Sequence, residues 1–357
     1  MAETLRGVRL WDASDSICNG LAVQLRGGRS GNLLCMKHLK LWILAAALMT
    51  QAGVMAAQTV NWVELGSPSA RTGMSLAYDA STKSTMLFGG SSPGETHGDT
   101  WMWRGGWLRL SPAASPSARN GAGMIFDAAA GDMLLFGGVG STGIYLNDTW
   151  TWDGSTWAQQ FPPLSPSPRN DAGMVYDAAS QTVVLFGGAN SAGVLGDTWT
   201  WNGVTKTWTE QNPAASPSAR SAPMTYDAAL QRVVLFGGSG NGTALFTDTW
   251  VWNGTTWTQQ FPASAPSPRS GASMAYDAGL GAIVLFGGAG DGMWEDSLND
   301  TWAWNGTTWT QIQPATVPPN RYSFGMDYDP VNKAVFMFGG YSSGPGRGDT
   351  WLLALAP

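Results

Sequence analysis

Six arginines recur along the chain, each after a short segment rich in proline and serine, such as SPSPR. They are Arg71, Arg119, Arg169, Arg220, Arg269 and Arg321. A guanidinium group binds a carboxylate or sulfate through two parallel hydrogen bonds, so a ring of six arginines could hold an acidic ligand. The alternative is that each arginine pairs with an acidic residue, such as the aspartate of a recurring Asp-Thr-Trp motif. Strict repetition favours this structural pairing.

A second group of candidates lies in the variable segments between Phe-Gly-Gly and Asp-Thr-Trp. Its members are Trp294, Glu295, Asp296, Tyr145, Tyr341, Arg347 and His97. An exposed indole offers an apolar face to a sugar ring, and flanking carboxylates can accept hydrogen bonds from hydroxyl groups. We therefore predict a ligand site that includes Trp294. The alternative is that Trp294 folds back and anchors its own loop.

The sequence offers little for catalysis. Cys18 and Cys35 both precede Met36, and after residue 57 the only histidine is His97. We find no nucleophile elbow, phosphate-binding loop or metal-ligand spacing. We expect no catalytic residue, no cofactor and no metal site.

A repeat of about 50 residues must position these side chains. Phe-Gly-Gly begins at residues 88, 136, 186, 236, 286 and 338, and Asp-Thr-Trp follows each time. Each repeat divides into four short strands, A to D. In the fifth repeat, strand A is predicted at Arg269–Asp277, strand B is the apolar AIVLFGG, and strands C and D each carry tryptophan. Because 17 of the 20 tryptophans occupy repeat positions, motifs such as DTWTWNG are predicted to be scaffold.

The apolar run, Gly-Gly, and the aromatic residue before the closing Trp resemble a kelch repeat over residues 60–357. The resemblance implies an all-β, six-bladed β-propeller of four-stranded antiparallel blades. Tryptophan replaces the usual kelch tyrosine at residues 103, 152, 201, 252 and 304. Galactose oxidase is a similar propeller, but its copper site needs two histidines and a Tyr–Cys cross-link, which residues 58–357, with one histidine and no cysteine, cannot supply. A resemblance to periplasmic sugar-acid mutarotases implies an alternative function, in which arginines at the channel mouth hold an acidic sugar.

The two ends of the sequence predict how the ring closes. The last repeat ends at DTWLLALAP without a strand D, whereas NWVEL near the other end carries Trp62 at the strand-D position. The N-terminal strand is therefore expected to close the last blade. We divide the chain into a leader or misassigned start at 1–35, a signal peptide at 36–57 and the propeller at 58–357.

Charge and the signal peptide set the expected partners. Removing residues 1–57 leaves 13 basic and 22 acidic residues, a net charge of −9. So acidic a chain is not expected to bind nucleic acid. We predict a secreted, periplasmic or cell-surface monomer with no membrane span after signal cleavage. Its predicted function is non-enzymatic binding of a glycan or protein at the face that carries the B–C loops, the variable segments between Phe-Gly-Gly and Asp-Thr-Trp.

Overall fold

The computed structural model describes residues 60–65, 69–290, 297–342 and 346–355, which form strands and turns and contain no helix. In chain order the strands are β1 Val60–Leu65, β2 Ser75–Asp79, β3 Ser84–Phe88, β4 Ser91–Ser92, β5 Glu95–Thr96, β6 Thr100–Trp103, β7 Trp107–Leu110, β8 Arg119–Asn120, β9 Gly123–Asp127, β10 Asp132–Phe136, β11 Val139–Gly140, β12 Thr149–Trp152, β13 Trp157–Gln160, β14 Gly173–Asp177, β15 Thr182–Phe186, β16 Ala189–Asn190, β17 Gly193–Val194, β18 Thr198–Asn202, β19 Thr207–Gln211, β20 Met224–Asp227, β21 Arg232–Phe236, β22 Thr249–Trp252, β23 Trp257–Gln260, β24 Ser273–Asp277, β25 Ala282–Phe286, β26 Thr301–Trp304, β27 Trp309–Ile312, β28 Gly325–Asp329, β29 Ala334–Phe338 and β30 Thr350–Leu355.

Six four-stranded antiparallel sheets make up the blades, which confirms the predicted propeller. Blade one contains β2, β3, β6 and β7, and blade two contains β9, β10, β12 and β13. Blade three contains β14, β15, β18 and β19, blade four β20 to β23, and blade five β24 to β27. Blade six contains β28, β29, β30 and β1. The short ribbons β4–β5, β8–β11 and β16–β17 lie in the connecting loops.

Each B strand is apolar because neighbouring blades cover both of its faces. In β3, β25 and β29 all five residues are buried. This is the burial that a continuous apolar run predicts. The core is therefore distributed between blades rather than collected at one centre.

The aspartates that end the A strands form the A–B turns. In blade five, Asp277 Oδ1 accepts hydrogen bonds from the backbone N–H groups of Gly279 at 2.8 Å and Leu280 at 3.1 Å. In the C–D turn of blade four, Asn253 Oδ1 accepts from the N–H groups of Thr255 and Thr256. Such side-chain caps explain why Asp and Asn recur where each hairpin reverses.

The A strands begin later than predicted. In blade five the strand starts at Ser273, four residues after Arg269. The backbone between Arg269 and Ser273 makes hydrogen bonds to other segments. Ser270 exchanges hydrogen bonds with Ala289, and the Gly271 carbonyl accepts from Ser323 N–H in blade six at 2.8 Å. Gly271 has a φ of +61°, which turns the chain away from the extended conformation.

Tryptophan joins neighbouring blades, which confirms its scaffold role. The strand-D indole N–H donates to the threonine hydroxyl of Asp-Thr-Trp in the preceding blade, for example Trp157 to Thr100 at 3.0 Å. The same indole packs edge-on against the Phe-Gly-Gly phenylalanine, with Phe88 and Trp157 centroids 5.4 Å apart. The described part of the chain contains five such indole–threonine bonds, donated by Trp107, Trp157, Trp208, Trp257 and Trp309.

Blades six and one meet through the same kind of contact, which completes the ring. The Trp107 indole donates to Thr350 Oγ1 at 3.1 Å, and the Tyr78 backbone N–H donates to Asp327 Oδ2 at 2.7 Å. Strand β1 pairs antiparallel with β30, from Val60 opposite Leu355 to Leu65 opposite Thr350. That this strand is what secures the ring stays a prediction.

One threonine of the repeat lacks this indole contact among the described residues. Thr301 Oγ1 in blade five is buried and has no hydrogen-bond partner among the described residues. It is equivalent to the five threonine hydroxyls that accept from an indole.

The leader at 1–35 and the signal peptide at 36–57 lie outside the described residues. Within the described ranges, no helix has the length and hydrophobicity of a membrane span.

Candidate functional site

The six repeat arginines are buried inside the blades. Each guanidinium binds the aspartate of Asp-Thr-Trp in its own blade through both carboxylate oxygens, in the pairs Arg71–Asp99, Arg119–Asp148, Arg169–Asp197, Arg220–Asp248, Arg269–Asp300 and Arg321–Asp349. The arginine side chains are at most 3% exposed. The structural alternative for these residues is therefore the one observed.

Other protein groups take the remaining donors of each arginine. Arg169 Nε donates to the Ser167 carbonyl, Nη1 to the Gly187 carbonyl and Nη2 to Ser167 Oγ, in addition to its bonds with Asp197. All five N–H groups are bonded in this way in blades two to five. The use of Arg71, Arg119, Arg169, Arg220, Arg269 and Arg321 as ligands at the channel mouth stays a prediction, which their burial and their bonds to aspartate disfavour.

The aspartates of these pairs are ionised and hold a third partner. Burial of Asp197 opposes ionisation, but its hydrogen bonds and charge attraction to Arg169 outweigh burial, so its pKa lies below the ordinary value. Asp197 Oδ2 also accepts the Trp199 indole N–H at 2.7 Å. The repeated Arg–Asp–Trp unit therefore fastens strand C to the loop that precedes strand A.

The B–C loops share one anchored position despite their different lengths. In blade one, His97 N–H donates to the Gly90 carbonyl, and the His97 carbonyl accepts from Arg119 N–H of blade two. Leu146, Leu195, Leu298 and Arg347 make the equivalent pair of bonds in four other loops, and Phe246 N–H makes the first of the two, to the Gly238 carbonyl. The sequence alone does not align these residues, because the loops differ in length.

Two predicted site residues, His97 and Arg347, occupy this anchored position. His97 Nε2 lies 2.9 Å from Ser92 Oγ, and Nδ1 lies 3.5 Å from Glu95 Oε1. Arg347 Nη2 donates to Ser342 Oγ at 3.1 Å, and burial together with the nearby Arg321 lowers its pKa. The His97 side chain is thus held by its own loop, and the Arg347 side chain by its own loop and by the Asn320 carbonyl, which accepts from Nε at 3.3 Å.

The two predicted tyrosines lie in different surroundings. Tyr341 packs edge-on against Tyr322, with ring centroids 5.6 Å apart, in blade six. Tyr145 lines the mouth of the central channel. Trp294, Glu295 and Asp296 lie outside the described residues, so their part in a site stays a prediction.

The central channel contains a cavity of about 500 Å³. All six blades line it with the segment between each repeat arginine and the methionine or leucine that follows. The residues of these segments are small, which leaves space along the channel axis. Between the blades the packing is tight, since a Cβ on Gly173 would lie only 2.6 Å from Met224 Sδ of the next blade. The cavity wall is therefore built from glycine, alanine and serine backbone over a layer of methionine.

Asp171 of blade three is the one charged residue among the described residues that line this cavity. Its side chain is exposed to the cavity, and Asn170 Nδ2 donates to Asp171 Oδ2 at 2.9 Å. Desolvation by the surrounding channel walls raises the pKa of this carboxylate to about 6. Asp171 has a φ of +50°, where blades one, two and five carry glycine.

A model of the KLHDC2/KLHL20/DRC7 Kelch-repeats domain matches residues 54–222 and again residues 104–259. Together the matches cover more than half of the chain. The chain belongs to the kelch-repeat family. The second match begins one 50-residue repeat after the first, so the kelch model fits in two registers one blade apart. No curated protein matches the chain.

In this kelch propeller, backbone hydrogen bonds link successive blades around the channel mouth. Asp171 N–H donates to the Gly121 carbonyl and Gly121 N–H to the Gly73 carbonyl, both at 2.8 Å. Gly73 N–H donates to the Ser323 carbonyl at 3.0 Å, and Ser323 N–H to the Gly271 carbonyl. We call these five residues the channel collar.

Blade four contributes no residue to the collar. Phe-Gly-Gly begins 17 residues after the repeat arginine in five blades but 16 residues after Arg220. The segment between the two motifs is therefore one residue shorter in blade four. Pro223 stands where blade three has Gly173, directly before the methionine. Among the described residues, the Asp171 carbonyl and the Gly271 N–H have no hydrogen-bond partner. We call this opening between Asp171 and Gly271 the collar gap.

Sequence reasoning missed Asp171 and the collar gap. The signal was present in the alignment of repeats, as a charged residue at a glycine position and a one-residue deletion in the next repeat. No group of three or more His, Cys, Asp or Glu side chains arranged to hold a metal occurs in the described part of the chain.

Proposed function

We propose that this kelch propeller is an exported, non-enzymatic binding module that holds a segment of a partner protein at the channel mouth. The B–C loops surround that mouth and differ between blades, whereas the scaffold beneath them repeats. Kelch propellers commonly bind proteins. Function on a rigid scaffold usually depends on such loops.

The observation that carries the proposal is the cavity shared by all six blades. Its volume of about 500 Å³ suits the insertion of one or two side chains or a short loop. The walls expose backbone and small side chains, so a ligand can approach the backbone closely. The hydrogen bonds of the channel collar support these walls around most of their circumference.

The channel charge disfavours the sugar-acid alternative. That alternative needs cationic groups at the mouth, but the six arginines are buried in pairs with aspartate. The described cavity lining instead carries one carboxylate, Asp171, which repels an acidic sugar.

A channel-filling variant tests the proposal. Ser221 lines the cavity, so Ser221→Trp should narrow it, whereas Thr258→Trp places the same side chain on the exposed outer strand β23. Both variants and the wild type are screened against an array of random 12-residue peptides and against a glycan array. We expect the wild type and Thr258→Trp to bind a common set of peptides, and Ser221→Trp to lose them with its melting temperature unchanged.

Equal peptide binding by Ser221→Trp and the wild type would place the interaction outside the channel and contradict the proposal. Binding of glycans but of no peptide would contradict a protein partner.

A further inference from the structure

The collar gap gives the channel mouth a chemical preference. On its blade-three side it presents two hydrogen-bond acceptors of one residue, the Asp171 carboxylate and the unpaired Asp171 carbonyl. On its blade-five side it presents one donor, the unpaired Gly271 N–H. Elsewhere in the collar the equivalent backbone groups are bonded to the next blade.

We propose that the collar gap binds a lysine or arginine side chain of a partner peptide, with the Asp171 carboxylate as its counter-ion. This inference rests on the proposed function and specifies the class of segment that the channel accepts. An ammonium group has three N–H donors and a guanidinium has five, and neither accepts hydrogen bonds. Such a group can therefore bond both Asp171 acceptors at once.

Several features of the site favour a cation. No other charged side chain among the described residues lines the cavity, so nothing there neutralises Asp171. Asn170 supplies one hydrogen bond to the carboxylate and leaves the other oxygen for a ligand. The poor hydration that raises the pKa of Asp171 also strengthens its attraction to a cation, because water screens the pair less.

A peptide suits the gap better than a bare ion. A single carboxylate provides too few ligands for a divalent metal, which takes six or more oxygen atoms or a cluster of nitrogen and sulfur donors. The unpaired Gly271 N–H on the opposite side can donate to an acceptor. A peptide supplies both a basic side chain and backbone carbonyl groups.

Defined peptide pools test the inference. Four pools of heptapeptides carry a fixed central lysine, arginine, norleucine or glutamate between three random residues on each side. Binding is measured for the wild type, Asp171→Asn and Asp153→Asn. Asp153 lies in an exposed C–D turn where blades three, four and five have Asn202, Asn253 and Asn305, so Asp153→Asn is a matched control for loss of one charge.

The wild type and Asp153→Asn should bind the lysine and arginine pools at least tenfold more tightly than the norleucine pool. Asp171→Asn should lose that preference, since it removes one charge-assisted contact, about a tenfold effect or more. Asparagine tolerates a positive φ, and Asp171→Gly restores the residue of three other blades, so one of these variants will fold.

The possible failures are distinguishable. If peptides bind without preference for a basic centre, or if Asp171→Asn keeps the preference, the inference is overturned and the proposed function stands. If none of the pools binds, both are contradicted.

Discussion

Replacing Asp197 with alanine removes the counter-ion of an arginine that has no access to water. Asp197 accepts from Arg169 Nη1 and Nη2 and from the Trp199 indole, each at 2.7 Å. The variant leaves three N–H donors without this acceptor and the Arg169 charge uncompensated at 0% side-chain exposure. Breaking a buried pair in this way costs about 3–5 kcal/mol.

We expect the lower end of that range, because the Asp197 side chain is 27% exposed and water can enter the space that it leaves. A loss of about 3 kcal/mol corresponds to a fall in melting temperature of about 6 °C for a domain of this size. Urea unfolding followed by tryptophan fluorescence measures the same loss as a lower midpoint.

Two control variants identify the cause. Lys206→Met breaks the more exposed Lys206–Asp132 pair, in which the lysine side chain is 35% exposed, and should cost less than about 1 kcal/mol. The double variant Arg169→Met with Asp197→Ala removes both charges and should be more stable than Asp197→Ala alone. If Asp197→Ala costs no more than Lys206→Met, or if the double variant is less stable than the single one, the buried-charge reasoning is refuted.

The same pair sets a dependence on pH. Because the pKa of Asp197 is lowered on folding, its contribution is present above the unfolded pKa near 3.8 and is lost as the pH falls through the folded pKa. The stability difference between wild type and Asp197→Ala should therefore persist at pH 5 and 7 and shrink below about pH 4.

The remaining predictions concern the N-terminal strand, Asp171, Trp294 and the signal peptide. Deleting residues 58–66 should lower the melting temperature of the whole ring in one transition; unchanged unfolding would refute closure by the N-terminal strand. Desolvation raises the Asp171 pKa to about 6, so the wild-type melting temperature should fall relative to that of Asp171→Asn as the pH rises from about 4 to 6. A constant difference in melting temperature over this range would contradict that. Trp294→Ala should weaken ligand binding without a change in melting temperature; a loss of stability alone would make Trp294 structural. The exported protein should begin near Ala57 or Gln58 by intact mass, and a secreted form that keeps residues 1–35 would contradict the signal peptide.

The repeat made much of the scaffold predictable. A strand buried on both faces is a continuous apolar run, and hairpin turns favour Asp, Asn or Gly. The strand AIVLF and the turns that flank it can therefore be predicted from a single repeat. Six copies then fixed the number of blades, and the strand-D position of Trp62 indicated where the ring closes. The predicted start of strand A was wrong by four residues, because hydrogen bonds to other segments determine the conformation of Ser270 and Gly271.

The sequence by itself determined the kelch architecture and the scaffold role of tryptophan, because both depend on patterns repeated within each blade. It left two roles open for the arginines, since the partner aspartate lies 28 to 31 residues away and only folding of the blade brings the two side chains together. Only the tertiary structure placed Asp171 in the channel. Its surroundings come from six segments about 50 residues apart, and ring closure alone makes them one wall.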